Sequence, residues 1–194
     1  LSGELAATDS AINLGALTLA VDSEIRSGTG DITFAGTVDS ADGQNFALSI
    51  FSTGATSFAA AVGGADRLAS LTTDTGGSTR LGVDISTLGV QSYGDSVLLS
   101  SDVTLTSTGV GASGDITFAD TLDSVSGDHY SLTVDTAGTT SFDSTVGSTD
   151  ALTALTTDAS GSTSLGGDVT TTGAQSYNDA VVIDDDISLT STVG

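Results

Sequence analysis

The stretch Gly30-Asp31-Ile32-Thr33-Phe34-Ala35-Gly36-Thr37-Val38-Asp39 returns as Gly114-Asp115-Ile116-Thr117-Phe118-Ala119-Asp120-Thr121-Leu122-Asp123, 84 residues later. The offset does not drift. Gly43 pairs with Gly127, Gly54 with Gly138, Phe58 with Phe142, Leu81 with Leu165, Tyr93 with Tyr177 and Asp102 with Asp186. Roughly half of the paired positions are identical, and no gap is needed across the unit. A fixed period decides the architecture before any local motif does, because each repeat must bury its apolar face against its neighbours.

Two units follow, residues 27–110 and 111–194, preceded by residues 1–26, which match poorly. In that first stretch Leu17, Leu19 and Val21 alternate with Thr18 and Ala20, as a strand does. It reads as a degenerate earlier repeat, or alternatively as an N-terminal cap or docking segment. Inside each unit a smaller motif recurs: a large apolar residue, three smaller ones, then Val, Ile or Leu. Its first residues are Phe34, Phe58, Leu81 and Tyr93, then Phe118, Phe142, Leu165 and Tyr177, at spacings of 24, 23, 12, 25, 24, 23 and 12. The runs are short, β-branched and bounded by Gly, Asp, Ser or Thr, which predicts strands and turns. Small or acidic residues such as Gly36, Ala60, Asp95 and Asp179 fall where a straight strand would point them inward. A corner or bulge there is expected to release them from the core.

No helical period stands out, so the fold class is all-β. Paired β-sandwiches of about 84 residues would carry aromatic anchors and a linker; this chain has 5% aromatics and runs from unit to unit without interruption. A parallel β-helix (β-solenoid) with coils of roughly 21–24 residues fits better, right-handed by the bias of parallel crossovers. Eight or nine coils, one strand spacing apart, make a rod of ~40 Å. The step of 12 is too short for a coil. It leaves open whether the unit is four uneven coils or whether Tyr93 lies on a second face of the same coil.

Charge then narrows function. The 194 residues carry a net charge of −22, and Arg26, Arg67, Arg80 and His129 are the only basic side chains. Nucleic-acid binding needs a basic surface and is excluded; an anionic membrane is disfavoured. No apolar run approaches the ~20 residues of a membrane span. With no Cys there is nothing to staple or oxidise. The sequence begins and ends within the repeat pattern, which reads as a piece of a longer or processed polypeptide.

Among carboxylates, Asp184-Asp185-Asp186 is the densest cluster and the candidate metal site, since hard oxygen ligands this close could hold calcium. Turn formation and solvation are the competing role for Asp. Asp31/Asp115, Asp39/Asp123, Asp66/Asp150, Asp74/Asp158, Asp84/Asp168 and Asp95/Asp179 recur in both units. Recurrence argues for structure, because a catalytic centre is a single place. A glycosidase needs two apposed carboxylates, a signal without specificity here. A lyase for acidic sugars needs cations, and Arg67 and Arg80 become Ala151 and Ser164 in the second unit. His129 replaces Asn45 and reads as a loop residue. Thr104, Thr106, Thr108, Thr190 and Thr192 read as a solvated strand face, and Tyr93 and Tyr177 as coil fillers with their hydroxyls at the surface. No catalytic residue is assigned, and no cofactor beyond calcium.

The motifs Gly-Asp-Ile-Thr-Phe-x-x-Thr-[Val/Leu]-Asp, Leu-Thr-Thr-Asp-x-x-Gly-Ser-Thr, Gln-Ser-Tyr-x-Asp-x-Val and [Val/Ile]-x-Leu-Thr-Ser-Thr resemble the filamentous-haemagglutinin-like, β-strand-repeat class of large bacterial surface proteins over residues 27–194. The resemblance implies a secreted or surface-displayed β-helical stalk serving adhesion, biofilm cohesion or an extracellular fibre. It carries no binding residue across, because the repeat is scaffold. The expected function is a non-enzymatic structural segment whose partners are copies of itself, end to end, or other surface and matrix components. The alternatives are a calcium- or glycan-binding module and a β-helix carbohydrate-active enzyme.

Overall fold

Short β-branched runs broken by Gly and Asp cannot propagate long strands, so the chain turns after every few residues and stacks on itself. In the computed structural model, which describes residues 3–192, the strands are three to eight residues long and every pairing is parallel. Three strand positions make one turn of about 23 residues, and about eight turns make the solenoid. Each turn passes through three faces in order. The first face is one nine-stranded sheet running from Gly3–Ala6 to Ala180–Ile183. The second is a six-stranded sheet from Ile12–Leu14 to Leu122–Ser124, continued through the bridge residue Val146 to Val169–Thr171 and Leu189–Ser191. The third joins Leu17–Leu19 and Val38–Ser40, through Val62, to a five-stranded sheet that ends at Gln175–Tyr177. No α-helix occurs among the described residues; Gly111–Gly114 is a 3-10 turn.

Alternation along each strand sends one set of side chains into a narrow interior, where in-register pairing places like on like. On the second face Phe34, Phe58, Leu81 and Leu99 are register partners in succession, and the two Phe rings stack at 4.8 Å. On the first face Tyr93, Phe118, Phe142, Leu165 and Ile183 form the corresponding file, with centroids 5.2 and 5.1 Å apart. All of these except Ile183 are fully or almost fully buried.

The two files settle the step of 12. Leu81 lies on the second face and Tyr93 on the first, so that step crosses faces and is not a coil. The unit itself does not close on a whole number of turns. Between Ile32–Phe34 and Ile116–Phe118 the chain advances eleven strand positions, Val62 counted as one, which at three per turn is three turns and two-thirds. Equivalent residues therefore land one face apart: Ile32–Phe34 on the second face, Ile116–Phe118 on the first.

Two corners show why Gly is fixed at equivalent places. Gly63 and Gly147 both have φ +67°, and a Cβ on either would run into a carbonyl, of Ser86 or of Thr170. L-residues rarely adopt that backbone region.

Replacing Phe118, sandwiched between Tyr93 and Phe142, by Ala should cost about 3–5 kcal/mol. The neighbouring outward-facing Thr117→Ala should stay within about 0.5 kcal/mol. Chemical denaturation of both variants checks this; equal costs would contradict the layered interior.

Candidate functional site

Strand backbones are satisfied by the ladders, but corners leave N–H groups without a ladder partner. A repeated carboxylate answers this. Asp22, Asp31, Asp84, Asp102 and Asp115 each stand one residue before a strand. Their Oδ1 atoms accept a backbone N–H at or beside the start of the strand one turn later: Ala47 at 2.9 Å, and Ala55, Thr104, Ser131 and Thr139 at 2.8 Å. Asp168 does the same for Ser188, also at 2.8 Å. Asp39 and Asp123 each accept from two successive amides, Ala65 and Asp66 or Thr149 and Asp150. Asp74 and Asp158 reach back instead, to Ser52 at 2.9 Å and Thr136 at 3.1 Å. A charged acceptor makes each of these bonds stronger than a neutral pair. The sequence signal was present: an Asp followed by Ile or Val, at Asp31-Ile32, Asp84-Ile85, Asp102-Val103, Asp115-Ile116 and Asp168-Val169.

A second polar set lies inside. Asp95 was expected to escape the core at its corner, yet it is 2% exposed. Its Oδ1 accepts from Thr79 at 2.7 Å and Thr73 at 3.2 Å, so the inward turn leaves it paired. Asp179 repeats the arrangement with Thr157 and Thr163. Burial pushes the Asp95 carboxyl above its ordinary value, against the pull of the two threonine hydroxyls. Tyr93 is also wholly buried, contrary to the expectation of a surface hydroxyl: its O–H donates to Gln91 Oε1 at 2.9 Å, and Gln91 Nε2 donates to Thr87 Oγ1 and to the Thr106 carbonyl. Burial raises the Tyr93 phenol far above its usual range and pushes that of the half-buried Tyr177 up to about 12. No buried side-chain nitrogen or oxygen among the described residues lacks a partner.

The remaining candidates do not assemble into one site. Asp184 accepts a hydrogen bond from Ser164 Oγ, and Asp185 Oδ1 accepts from the Asp186 amide at 2.8 Å. Among the described residues no three His, Asp or Glu side chains converge as a metal would require. His129 is exposed, with Nδ1 2.7 Å from the Ala151 carbonyl. Arg67 lines a recess of about 470 Å³ with Gln44, Asn45, Ser86 and Leu88, and its Nε donates to Ser86 Oγ at 2.9 Å. Arg80 is exposed on the strand Ser78–Leu81 and does not line that recess. Arg26 is held by Glu24 at 2.7 Å and lies over the Phe51 ring.

The fold and its polar groups define a parallel β-solenoid whose repeated acids bond one turn to the next. Compared with known proteins, the chain matches no family model, no curated protein and no solved structure.

Asp115→Ala, which strands the Thr139 amide, should cost about 1–3 kcal/mol, against less than about 0.5 for the exposed Asp135→Ala, measured by denaturant titration. Asp95 has a raised native pKa, so its contribution to stability is greatest when protonated and is lost as pH rises through that pKa. Asp95→Asn should therefore gain in melting temperature relative to the native chain between about pH 4 and about pH 7. A difference that stays flat across that range would contradict a penalised buried charge.

Proposed function

We propose that the chain is a structural segment of an extracellular bacterial β-solenoid, displayed at the cell surface or secreted, and acting as a stalk in adhesion, biofilm and matrix cohesion or filament assembly. One observation carries this reading: the polar residues that recur from unit to unit are engaged in joining turns to each other. A repeat built this way works by length and stiffness. It has no catalytic role on this reading. Its partners are further copies of the same solenoid, stacked end to end, or other surface and matrix components. No helix among the described residues is long and apolar enough to cross a membrane.

The net charge of −22 sets lateral behaviour. Rods of like charge repel at low salt and approach when ions screen them. Calcium acts here as a bridging counterion between rods. A glycan-binding module is the second reading. The recess of Gln44, Asn45 and Arg67 favours it, because amides and a guanidinium bond sugar hydroxyls.

Antibody to the repeat should label intact, unpermeabilised producing cells or their secreted matrix; labelling confined to lysed cells would overturn the stalk reading. In sedimentation, the purified chain should stay monomeric at low salt and associate as calcium is added. An unchanged distribution would remove the cation-bridging part. Glycan-array binding that Arg67→Ala abolishes would favour the second reading.

A further inference from the structure

The last described turn consists of Gln175–Tyr177, Ala180–Ile183 and Leu189–Ser191, each of which is the final strand of its sheet. Val181, Ile183 and Leu189 are 39%, 56% and 47% exposed. Their counterparts 84 residues earlier, Val97, Leu99 and Leu105, are fully buried. The side chains and the scaffold are the same kind. What differs is that the turn running from Gly114 to Ala137 lies over the earlier set: Ile116–Phe118 on Gln91–Tyr93, Leu122–Ser124 on Val97–Leu99, and Leu132–Ala137 on the strand that holds Leu105. The carboxylates agree. Asp102 accepts the Ser131 amide from that covering turn, while the carboxylate of its counterpart Asp186 has no hydrogen-bond partner among the described residues.

We propose that this turn is a receiving surface for one more turn of the Gly-Asp-Ile-Thr-Phe kind, and that the incoming motif docks on the third face. The face follows from the two-thirds turn in each unit. The motif lies on the second face at Ile32–Phe34 and on the first at Ile116–Phe118; Gln175–Tyr177, the strand it must follow, lies on the third. The incoming Phe stacks on Tyr177 as Phe118 stacks on Tyr93, and an incoming amide fills Asp186 as Ser131 fills Asp102. Three units span 33 strand positions, eleven whole turns, and bring the motif to each face once before it repeats. The Gly3–Ala6, Ile12–Leu14 and Leu17–Leu19 turn of a second copy is a poorer occupant. It offers no aromatic ring to Tyr177, and it brings the acidic Glu4 to an end that already carries Asp184, Asp185 and Asp186.

The inference rests on the stalk reading for its use in a longer rod, but its test does not depend on where the protein is found. The full chain is extended after Gly194 by a copy of residues 111–137 and compared with the unextended chain and with a scrambled extension. Amide exchange at Ala180–Ile183 and Leu189–Ser191 should slow at least tenfold with the true copy only. Asp186→Ala should reverse that protection roughly tenfold in the extended chain and leave the unextended chain's melting temperature unmoved. Because the chain has no Cys, paired cysteines report the register. Ser176→Cys should cross-link with a cysteine at the appended copy of Thr117, the pair equivalent to Ser92 and Thr117. Cross-linking to Val182→Cys instead overturns the change of face. Equal exchange with the true and scrambled extensions overturns the receiving surface. An unextended chain whose dimerisation protects these amides as strongly as the true extension does overturns the choice of occupant. Failure of surface labelling on cells would remove the stalk reading and leave this result standing.

Discussion

Everything in this fold depends on holding successive turns in register at their corners. Strands of three or four residues form few ladder bonds each, so a slip at one corner would displace a whole turn. The aspartate that precedes a strand prevents this by accepting an amide at or beside the start of the strand one turn later. The side chain is short enough to stay at its own corner and charged enough to make a strong acceptor. It remains near solvent, so it avoids the full desolvation cost of a buried ion. Counting those that reach back as well as forward, twelve aspartates accept backbone amides from a neighbouring turn. A large part of the chain's acidity is therefore a by-product of how its turns are fastened.

The incommensurate unit has a packing consequence. A solenoid interior this narrow holds one file of bulky rings per cross-section without leaving voids or overfilling. Rings occupy the second face at Phe34 and Phe58, and that file thins to Leu81 and Leu99. As it thins, Tyr93 begins the file on the first face, which continues through Phe118 and Phe142 before thinning to Leu165. The large side chains pass from one face to the next just as the unit does. A unit of whole turns would put every ring on one face and need a permanently asymmetric core.

The strands, the parallel solenoid and the structural use of the recurring acids were legible, because each depends on local pattern or on recurrence itself. Phase was not legible. A 12-residue step reads the same whether it crosses faces or shortens a coil, and only register tells Leu81's face from Tyr93's. The inward turn of Asp95 was hidden for a related reason. Its partners Thr73 and Thr79 lie 22 and 16 residues away, and nothing near Asp95 in sequence announces them. Tyr93 is similar: the Gln91 that satisfies its hydroxyl is two residues away, but burial of both depends on the turn above.

With the recurring residues engaged between turns, specificity must come from what differs between units. The loops around Gly43 and Gly63, and around Gly127 and Gly147, have the same positive-φ glycines and so the same path. On that common frame Asn45 gives way to His129 and Arg67 to Ala151, yet each pair keeps its link: Asn45 Nδ2 donates to the Arg67 carbonyl at 2.8 Å, and His129 Nδ1 lies 2.7 Å from the Ala151 carbonyl. The link uses a backbone oxygen, so the side chain at the second position is free to change without disturbing the loop. Because the unit turns by one face each time, these two variants of one loop pair also point in different directions from the rod. A scaffold of this design can vary its exterior without altering its core.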